Sequence, residues 1–305
     1  MSAQVWLIAG PTASGKSTVA LDLARTTGGE IVNADSMQLY RDLRVLTARP
    51  SAEDEALAPH HLFGIADAGE AWSVGRWLDV ALDTLAKIAA RGRPAIVVGG
   101  TGLYFRALTR GLAAIPPVPA PIRATVLADY QALGEPAFRK RLAEVDPAAA
   151  ARIAAGDRQR LTRALEVFVA SGRSLSHWQS ATEPALASDD WRGVVLTLPR
   201  AELYRRIDMR LEAMLGGGAL DEVRRLAARG LDPKMPAMKA LGVASLTRLL
   251  AGELRPEAAL AEAQAETRRY AKRQITWFNR QCPEWPRAPA EGLAHEVLEQ
   301  LNPER

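Results

Sequence analysis

Residues Gly10-Pro11-Thr12-Ala13-Ser14-Gly15-Lys16-Ser17 follow directly on the apolar run Val5-Trp6-Leu7-Ile8-Ala9. Their spacing is G-x-x-x-x-G-K-[ST], the P-loop pattern, and it dictates its surroundings: a buried strand before it, a helix starting at its last residues. The strand delivers the loop to the carboxyl edge of a sheet. Glycines let backbone N–H groups converge on phosphate oxygens. Lys16 adds a point charge, the Ser17 hydroxyl is a ligand for Mg²⁺, and the helix aims its positive end at the same oxygens. Gly10 to Ser17 are therefore expected to bind a diphosphate or nucleotide.

The rest of the chain supplies the other strands. Glu30-Ile31-Val32-Asn33-Ala34 reads as a second strand ending at Asp35-Ser36, a weaker one lies near Leu62-Phe63-Gly64-Ile65, and a helix runs from about Ser73 to Arg91. Pro94-Ala95-Ile96-Val97-Val98 is the clearest buried strand and ends in Gly99-Gly100-Thr101-Gly102. Strands alternating with helices predict a parallel sheet, whose ligands gather at the carboxyl edge. Composition shifts at Ile115-Pro116-Pro117-Val118-Pro119-Ala120-Pro121, a stiff connector followed by helical patterns. The next strand pattern is Gly193 to Leu198. The expected fold is α/β: a P-loop parallel sheet with flanking helices, plus a helical insertion and a helical C-terminal region. The segments are 1–115 for the first part of the core, 116–190 for the insertion, and 191–305 for the last core strand and a helical remainder whose tail from Pro283 packs loosely.

Composition excludes several classes. A hydrophobic fraction of 48% with 24% charged residues is that of a globular protein, and no apolar stretch is long enough for a membrane span. The short N-terminal apolar run lacks a basic flank, so a cytoplasmic protein is expected. The one cysteine, Cys282, forbids an internal disulfide or a Cys-based zinc cage. A formal charge of +4 permits a nucleic-acid partner without requiring one.

Asp35 stands beside the P-loop at the catalytic edge, where a carboxylate can bind metal or accept a proton. The strand before Gly99 lacks the acidic residue of P-loop ATPases, which argues against a standard hydrolase. Thr101 is able to hydrogen-bond reacting atoms or merely close a turn. Arg158, Arg160 and Arg163, and Arg206 and Arg210 one turn apart, fit either a phosphate clamp or a solvated helix face. Arg268 to Arg280 holds five basic residues, three aromatics and no acid, a composition suited to RNA or to an amphipathic terminal helix. His60-His61 has no nearby acidic or Cys partner at ligand spacing and reads as structural. Gly216-Gly217-Gly218 follows no strand and reads as a break between helices.

Seven segments, in order across most of the chain, together resemble the tRNA dimethylallyltransferase (tRNA isopentenyltransferase) family: GPTASGKS, NADSMQLYRDL, TARP, PHHLFGI, VVGGTGLYFRAL, DRQRLTRALEV and YAKRQITWF. The resemblance implies transfer of a dimethylallyl group from dimethylallyl diphosphate to N6 of the tRNA adenine 3′ to the anticodon, with Mg²⁺. It implies a P-loop that holds the donor's diphosphate, Asp35 as general base and Thr101 at the reacting centre. Arg123 and Arg210 match reaction-channel positions. Asp35, Ser36, Met37 and Gln38, then Gln159, Arg160, Leu161, Thr162 and Arg163, and then Lys272, Arg273, Gln274 and Trp277 match tRNA-contacting positions. One departure is Val243-Ala244, where the family has an aromatic and then a basic residue after Gly242. The absence of a Cys/His zinc finger implies the bacterial type, and a monomer is expected. A small-molecule P-loop kinase is the rival enzyme reading, and an RNA-binding ATP sensor the non-enzymatic one.

Overall fold

The computed structural model describes residues 5–289 and 294–301. It groups them into two compact units, one built from the chain up to Thr109 together with the chain from Leu186, the other spanning Arg110–Ala185. The helical unit thus begins ahead of the proline run and ends before Asp189-Asp190.

In the first unit, β1 (Val5–Ala9) feeds the P-loop into α1 (Lys16–Thr27), and β2 (Glu30–Asn33) follows. A long connection carries α2 (Ala52–Leu57) to the two-residue β3 (His60–His61). Then come α3 (Val74–Ala90), capped by the Ser73 hydroxyl, β4 (Ala95–Gly99) and α4 (Gly102–Arg110). The expected strand at Leu62–Ile65 is displaced: pairing with β2 ends at His61, because Leu62 and Gly64 both take positive φ and turn the chain out of the sheet.

The helical unit holds α5 (Ala120–Val145), broken at Gly134 with Pro136 after it, then α6 (Pro147–Arg152), α7 (Arg158–Ser171) and α8 (Leu175–Ser180). Its own core is built on Phe138, Leu142, Leu161, Leu165 and Val167. Buried Asp146 caps two helices, accepting the Ala149 N–H at 3.0 Å and the Ser176 N–H at 2.9 Å.

The chain returns to the sheet as β5 (Trp191–Thr197), followed by α9 (Arg200–Gly216), α10 (Ala219–Ala228), α11 (Val243–Leu250) and α12 (Pro256–Gln281). As expected, the triple glycine separates two helices. The tail differs from expectation. β6 (Arg287–Pro289) adds a sixth strand beside β5, and α13 (Ala294–Leu301) follows it. Trp285 and Ala288 are buried, so this tail is part of the fold and β5 is not the last strand. Pro289 is tolerated because β6 is an edge strand.

All pairings are parallel, in the order β3-β2-β4-β1-β5-β6. Strand alternation splits the apolar residues between two faces. Leu7, Val32, Val97 and Val195 face one core with Trp77 and Phe105; Ile8, Ile31, Ile96 and Val194 face the other with Leu23 and Val297. At the foot of β2, buried Glu30 takes Arg91 through Nε at 2.9 Å and Nη2 at 2.6 Å, and the His61 ring at 2.6 Å. The fold thereby gives His61 the acidic partner that its sequence neighbourhood lacks. The Arg91 hydrogen bonds hold the Glu30 carboxyl below the usual carboxylate range, and His61 adds to them against the opposing effect of burial.

Candidate active site at the carboxyl edge

The P-loop turns at the end of β1 through left-handed Ala13 (φ 64°) and Gly15 (φ 80°), the latter capping α1. Ser14 N–H donates to Pro11 O at 3.2 Å, and Lys16 Nζ donates to the same carbonyl at 3.1 Å. Ser14 is fully buried and its hydroxyl has no partner among the described residues. Burial lowers the Lys16 ammonium to about 8; the Asp35 charge opposes this and the Arg210 charge adds to it. Lys16, Asp35 and Arg210 are therefore within electrostatic reach of one another. Arg210, from α9, donates through Nη2 to Thr12 Oγ1 at 2.6 Å, while its buried Nε has no partner among the described residues. An unsatisfied guanidinium N–H and a buried hydroxyl beside an ammonium suit an anion with several acceptor oxygens.

Asp35 sits just past β2. Buried Asn33 fixes its backbone, accepting the Asp35 N–H at 2.8 Å and donating through Nδ2 to the Asp35 and Leu62 carbonyls at 3.0 Å each. Asp35 Oδ1 accepts the Met37 N–H at 3.0 Å. Among the described residues Oδ2 has no hydrogen-bond partner, so a lone pair remains for a donor.

Thr101 closes the site from the β4 side. Its Oγ1 accepts the Ser36 N–H at 2.9 Å, and its own N–H donates to Ala34 O at 3.2 Å. The glycines around it are needed for space. A Cβ on Gly99 would lie 2.1 Å from Ala34 O, on Gly100 2.2 Å from Gln274 Nε2, and on Gly102 2.2 Å from the Trp277 ring. Tyr104 stacks on Trp77 with centroids 3.9 Å apart. Trp77 Nε1 in turn donates to Asn33 O at 3.0 Å. Tyr270, on α12, has its hydroxyl beside the Thr101 and Gln274 side chains. Burial first, and then the Asp35 charge, raise both tyrosines well above the usual phenol range.

The expected residues divide as follows. Gly10 to Ser17, Asp35, Ser36, Thr101 and Arg210 share one edge. Met37 and Gln38 continue from Asp35, and Gln38 Nε2 holds the Thr47 and Ala48 carbonyls at 2.9 Å each. On α12, Lys272 and Arg273 are exposed, Trp277 is half-buried and Gln274 is buried. Gln274 thus faces the loops rather than solvent. Arg268 is not a free cation, since it pairs with Asp208 at 2.7 Å.

Within the helical unit, Arg123 is exposed in the first turn of α5. Gln159 and Arg160 are exposed at the start of α7, and Arg163 is half-buried. Leu161 and Thr162 are core side chains, and the Thr162 hydroxyl bonds back to Arg158 O at 3.0 Å. The expectation that this segment presents all five side chains is corrected to Gln159, Arg160 and Arg163, because α7 turns its 161/162/165 face inward. Val243 is likewise buried at the start of α11, with Ala244 exposed.

Sequence reasoning missed Tyr270 and Glu222, and it placed Gln274 among the tRNA contacts. Glu222 is buried on α10 and accepts the N–H groups of Arg44, Val45 and Leu46 at 2.9, 2.8 and 3.0 Å, anchoring the connection that follows Asp35.

For the metal, the donor set fits Mg²⁺ in the manner of a P-loop: the exposed Ser17 hydroxyl in the first turn of α1, beside Lys16 and a cradle for phosphate oxygens. Among the described residues no cluster of His, Cys, Asp and Glu forms a dedicated metal cage. No described helix is long and apolar enough to cross a membrane.

Comparison with known proteins agrees along the whole length. The IPP transferase family profile matches residues 38–281, and the isopentenyl transferase profile matches residues 3–58. A tRNA dimethylallyltransferase of Phenylobacterium zucineum is 62% identical over 95% of this chain and 94% of its own. One from Caulobacter sp. (strain K31) is 58% identical over 99% and 97%. The crystal structure of the Bacillus halodurans tRNA isopentenylpyrophosphate transferase superposes with a TM-score of 0.70 at 31% identity, covering 97% of this chain and 93% of that one. A eukaryotic dimethylallyltransferase captured acting on tRNA superposes at 0.82 with 25% identity, covering 100% and 77%.

Proposed function

The chain belongs to the tRNA dimethylallyltransferase family, and we propose that it transfers the dimethylallyl group of dimethylallyl diphosphate to N6 of adenosine 37, the tRNA base 3′-adjacent to the anticodon. The observation that carries the reading is the P-loop edge, where Arg210 donates to Thr12 Oγ1 at 2.6 Å and keeps its buried Nε unpaired among the described residues, with Lys16 and Asp35 in electrostatic reach. It puts an anion cradle next to a carboxylate with a free oxygen. None of the relatives named above is a kinase.

The allylic C1–O bond breaks as N6 approaches C1. The electron pair leaves on the diphosphate, and the fragment carries delocalised positive charge. Stabilising the departing anion is the larger task, and it falls to preorganised donors: the loop N–H groups, Lys16 and Arg210. Ser17 would hold Mg²⁺ on the diphosphate oxygens, which supplies further charge neutralisation there. An exocyclic adenine amine is a poor nucleophile. Asp35 orients it through Oδ2 and takes its proton as the N6–C1 bond forms. Thr101, fixed by Ser36, lines the same centre. The adenine must leave its stack, at a cost of a few kcal/mol. Exposed cations on α12 (Lys272, Arg273) and α7 (Arg160) offset this through phosphate contacts.

The test is incubation with labelled dimethylallyl diphosphate and unmodified tRNA, followed by nucleoside analysis. Label in adenosine supports the reading; label in a small alcohol, or phosphate transfer from ATP, overturns it.

A further inference from the structure

α12 presents a repeating face to the carboxyl edge. Tyr270, Gln274 and Trp277 recur at spacings of four and three, so they share one side of the helix. Each meets one member of the loop after β4: Tyr270 reaches Thr101, Gln274 reaches Gly100, and the Trp277 ring lies over Gly102.

Gln274 makes the most specific of these contacts. Its Oε1 accepts the Thr12 N–H of the P-loop at 2.8 Å, and its Nε2 donates to Gly100 O at 2.9 Å. The chemistry fixes the orientation, since a peptide N–H can only donate and a carbonyl can only accept. A primary amide satisfies both from one planar group. The side chain is 4% exposed, so water does not substitute for either partner. Thr12 has a second task, because its hydroxyl accepts the only hydrogen bond from the Arg210 side chain found among the described residues.

We infer that Gln274 is a positioning residue for the donor side of the reaction. It clamps Thr12, and through Thr12 the Arg210 guanidinium, at a fixed distance from the loop that carries Thr101. The resemblance set Gln274 among the tRNA contacts; its two bonds assign it instead to the diphosphate cradle. The inference rests on the function proposed above for its link to turnover.

Two readouts separate the two claims. Affinity for inorganic diphosphate is measured by calorimetry without tRNA, and steady-state kinetics are measured with dimethylallyl diphosphate and unmodified tRNA. Gln274→Glu is isosteric but at pH 8 turns a carboxylate oxygen toward Gly100 O. Diphosphate affinity should fall, and the KM for the donor should rise, by about tenfold or more, as expected when a buried donor–acceptor pair is broken. Binding of tRNA, measured separately, should stay within about twofold. Gln274→Ala, which removes both partners, should show a comparable defect. Gly100→Ala, which pushes the amide off its acceptor from the other side, should reproduce it with Gln274 intact. A variant that loses tRNA affinity about tenfold while keeping diphosphate affinity overturns the inference, as does a Gln274→Ala or Gly100→Ala protein with wild-type diphosphate affinity. If wild-type protein binds diphosphate but does not prenylate tRNA, the function is wrong and the clamp is still judged by calorimetry.

Discussion

Gly102→Ala tests whether α12 and the Thr101 loop are moulded to one another. The added Cβ would stand 2.2 Å from Trp277 Cε3 and 2.4 Å from Cδ2, an ångström or more short of the 3.4 Å at which ordinary contact begins. Trp277 also meets Phe278 edge-on, with ring centroids 5.2 Å apart, so displacing the ring disturbs that contact too. Overpacking of this size costs about 1–3 kcal/mol. The gain in helix propensity from Gly to Ala, at most about 1 kcal/mol and less in a first turn, offsets part of it. The expected loss is about 1–2 kcal/mol, read by urea denaturation. Because Gly102 follows Thr101 directly, a shift near 1 Å should also lower the single-turnover rate by about 100-fold. The same substitution in a Trp277→Ala background has room for its methyl and should cost nothing. If Gly102→Ala costs the same in both backgrounds, within the roughly 0.5 kcal/mol expected of independent sites, Trp277 is not the obstacle and the account of this loop is wrong.

Three further outcomes are expected. Asp35→Ala should slow the chemical step by about 100-fold or more, the range lost with a general base, while tRNA affinity changes by less than about twofold; unchanged single-turnover kinetics would remove Asp35 from proton transfer. Burial holds Lys16 at about 8, below its ordinary 10.5, so free enzyme loses this charge as pH rises through 8 and diphosphate affinity should fall there. Bound diphosphate favours the ammonium, so binding at pH 8.5 should take up protons, visible by calorimetry in buffers of different ionisation enthalpy and absent in Lys16→Met. The linkage to stability has the opposite sign: the unfolded chain holds this proton up to pH 10.5, so the group's contribution to stability rises from about pH 8 upward. Lys272→Ala and Arg273→Ala should weaken tRNA binding and each reduce the slope of log K against log salt by about 1; a slope that does not move would take that side chain off the RNA backbone.

What the sequence reveals of the sheet follows from where its information lies. β1 and β4 are continuous apolar runs because helices cover both faces, and each announces itself within a few residues. The P-loop and Asp35 are legible for the same reason, since the strand that ends there also delivers them. β6 is the opposite case. Three residues, one of them proline, carry no periodicity, and the strand exists because β5 offers an open edge and Trp285 a buried anchor. β3 was misplaced by a few residues because Leu62 and Phe63 look like strand, whereas the backbone has already turned at Leu62.

The site shows a sharper division. Residues that act on a ligand sit in motifs, but residues that hold those motifs together come from far away in the chain and look ordinary. Gln274 lies 262 residues from its partner Thr12, inside a run whose most visible property is positive charge. Composition therefore assigns it to RNA along with its neighbours. Only the helical phase separates them, putting 270, 274 and 277 toward the loops and 272 and 273 toward solvent. The same holds for Glu222, which lies in the first turn of α10 and caps three N–H groups of the connection beyond Asp35. In both cases a buried polar side chain satisfies backbone groups of a functional loop. Such groups are costly to leave unpaired, so the loops keep their shape only while these distant side chains remain in place.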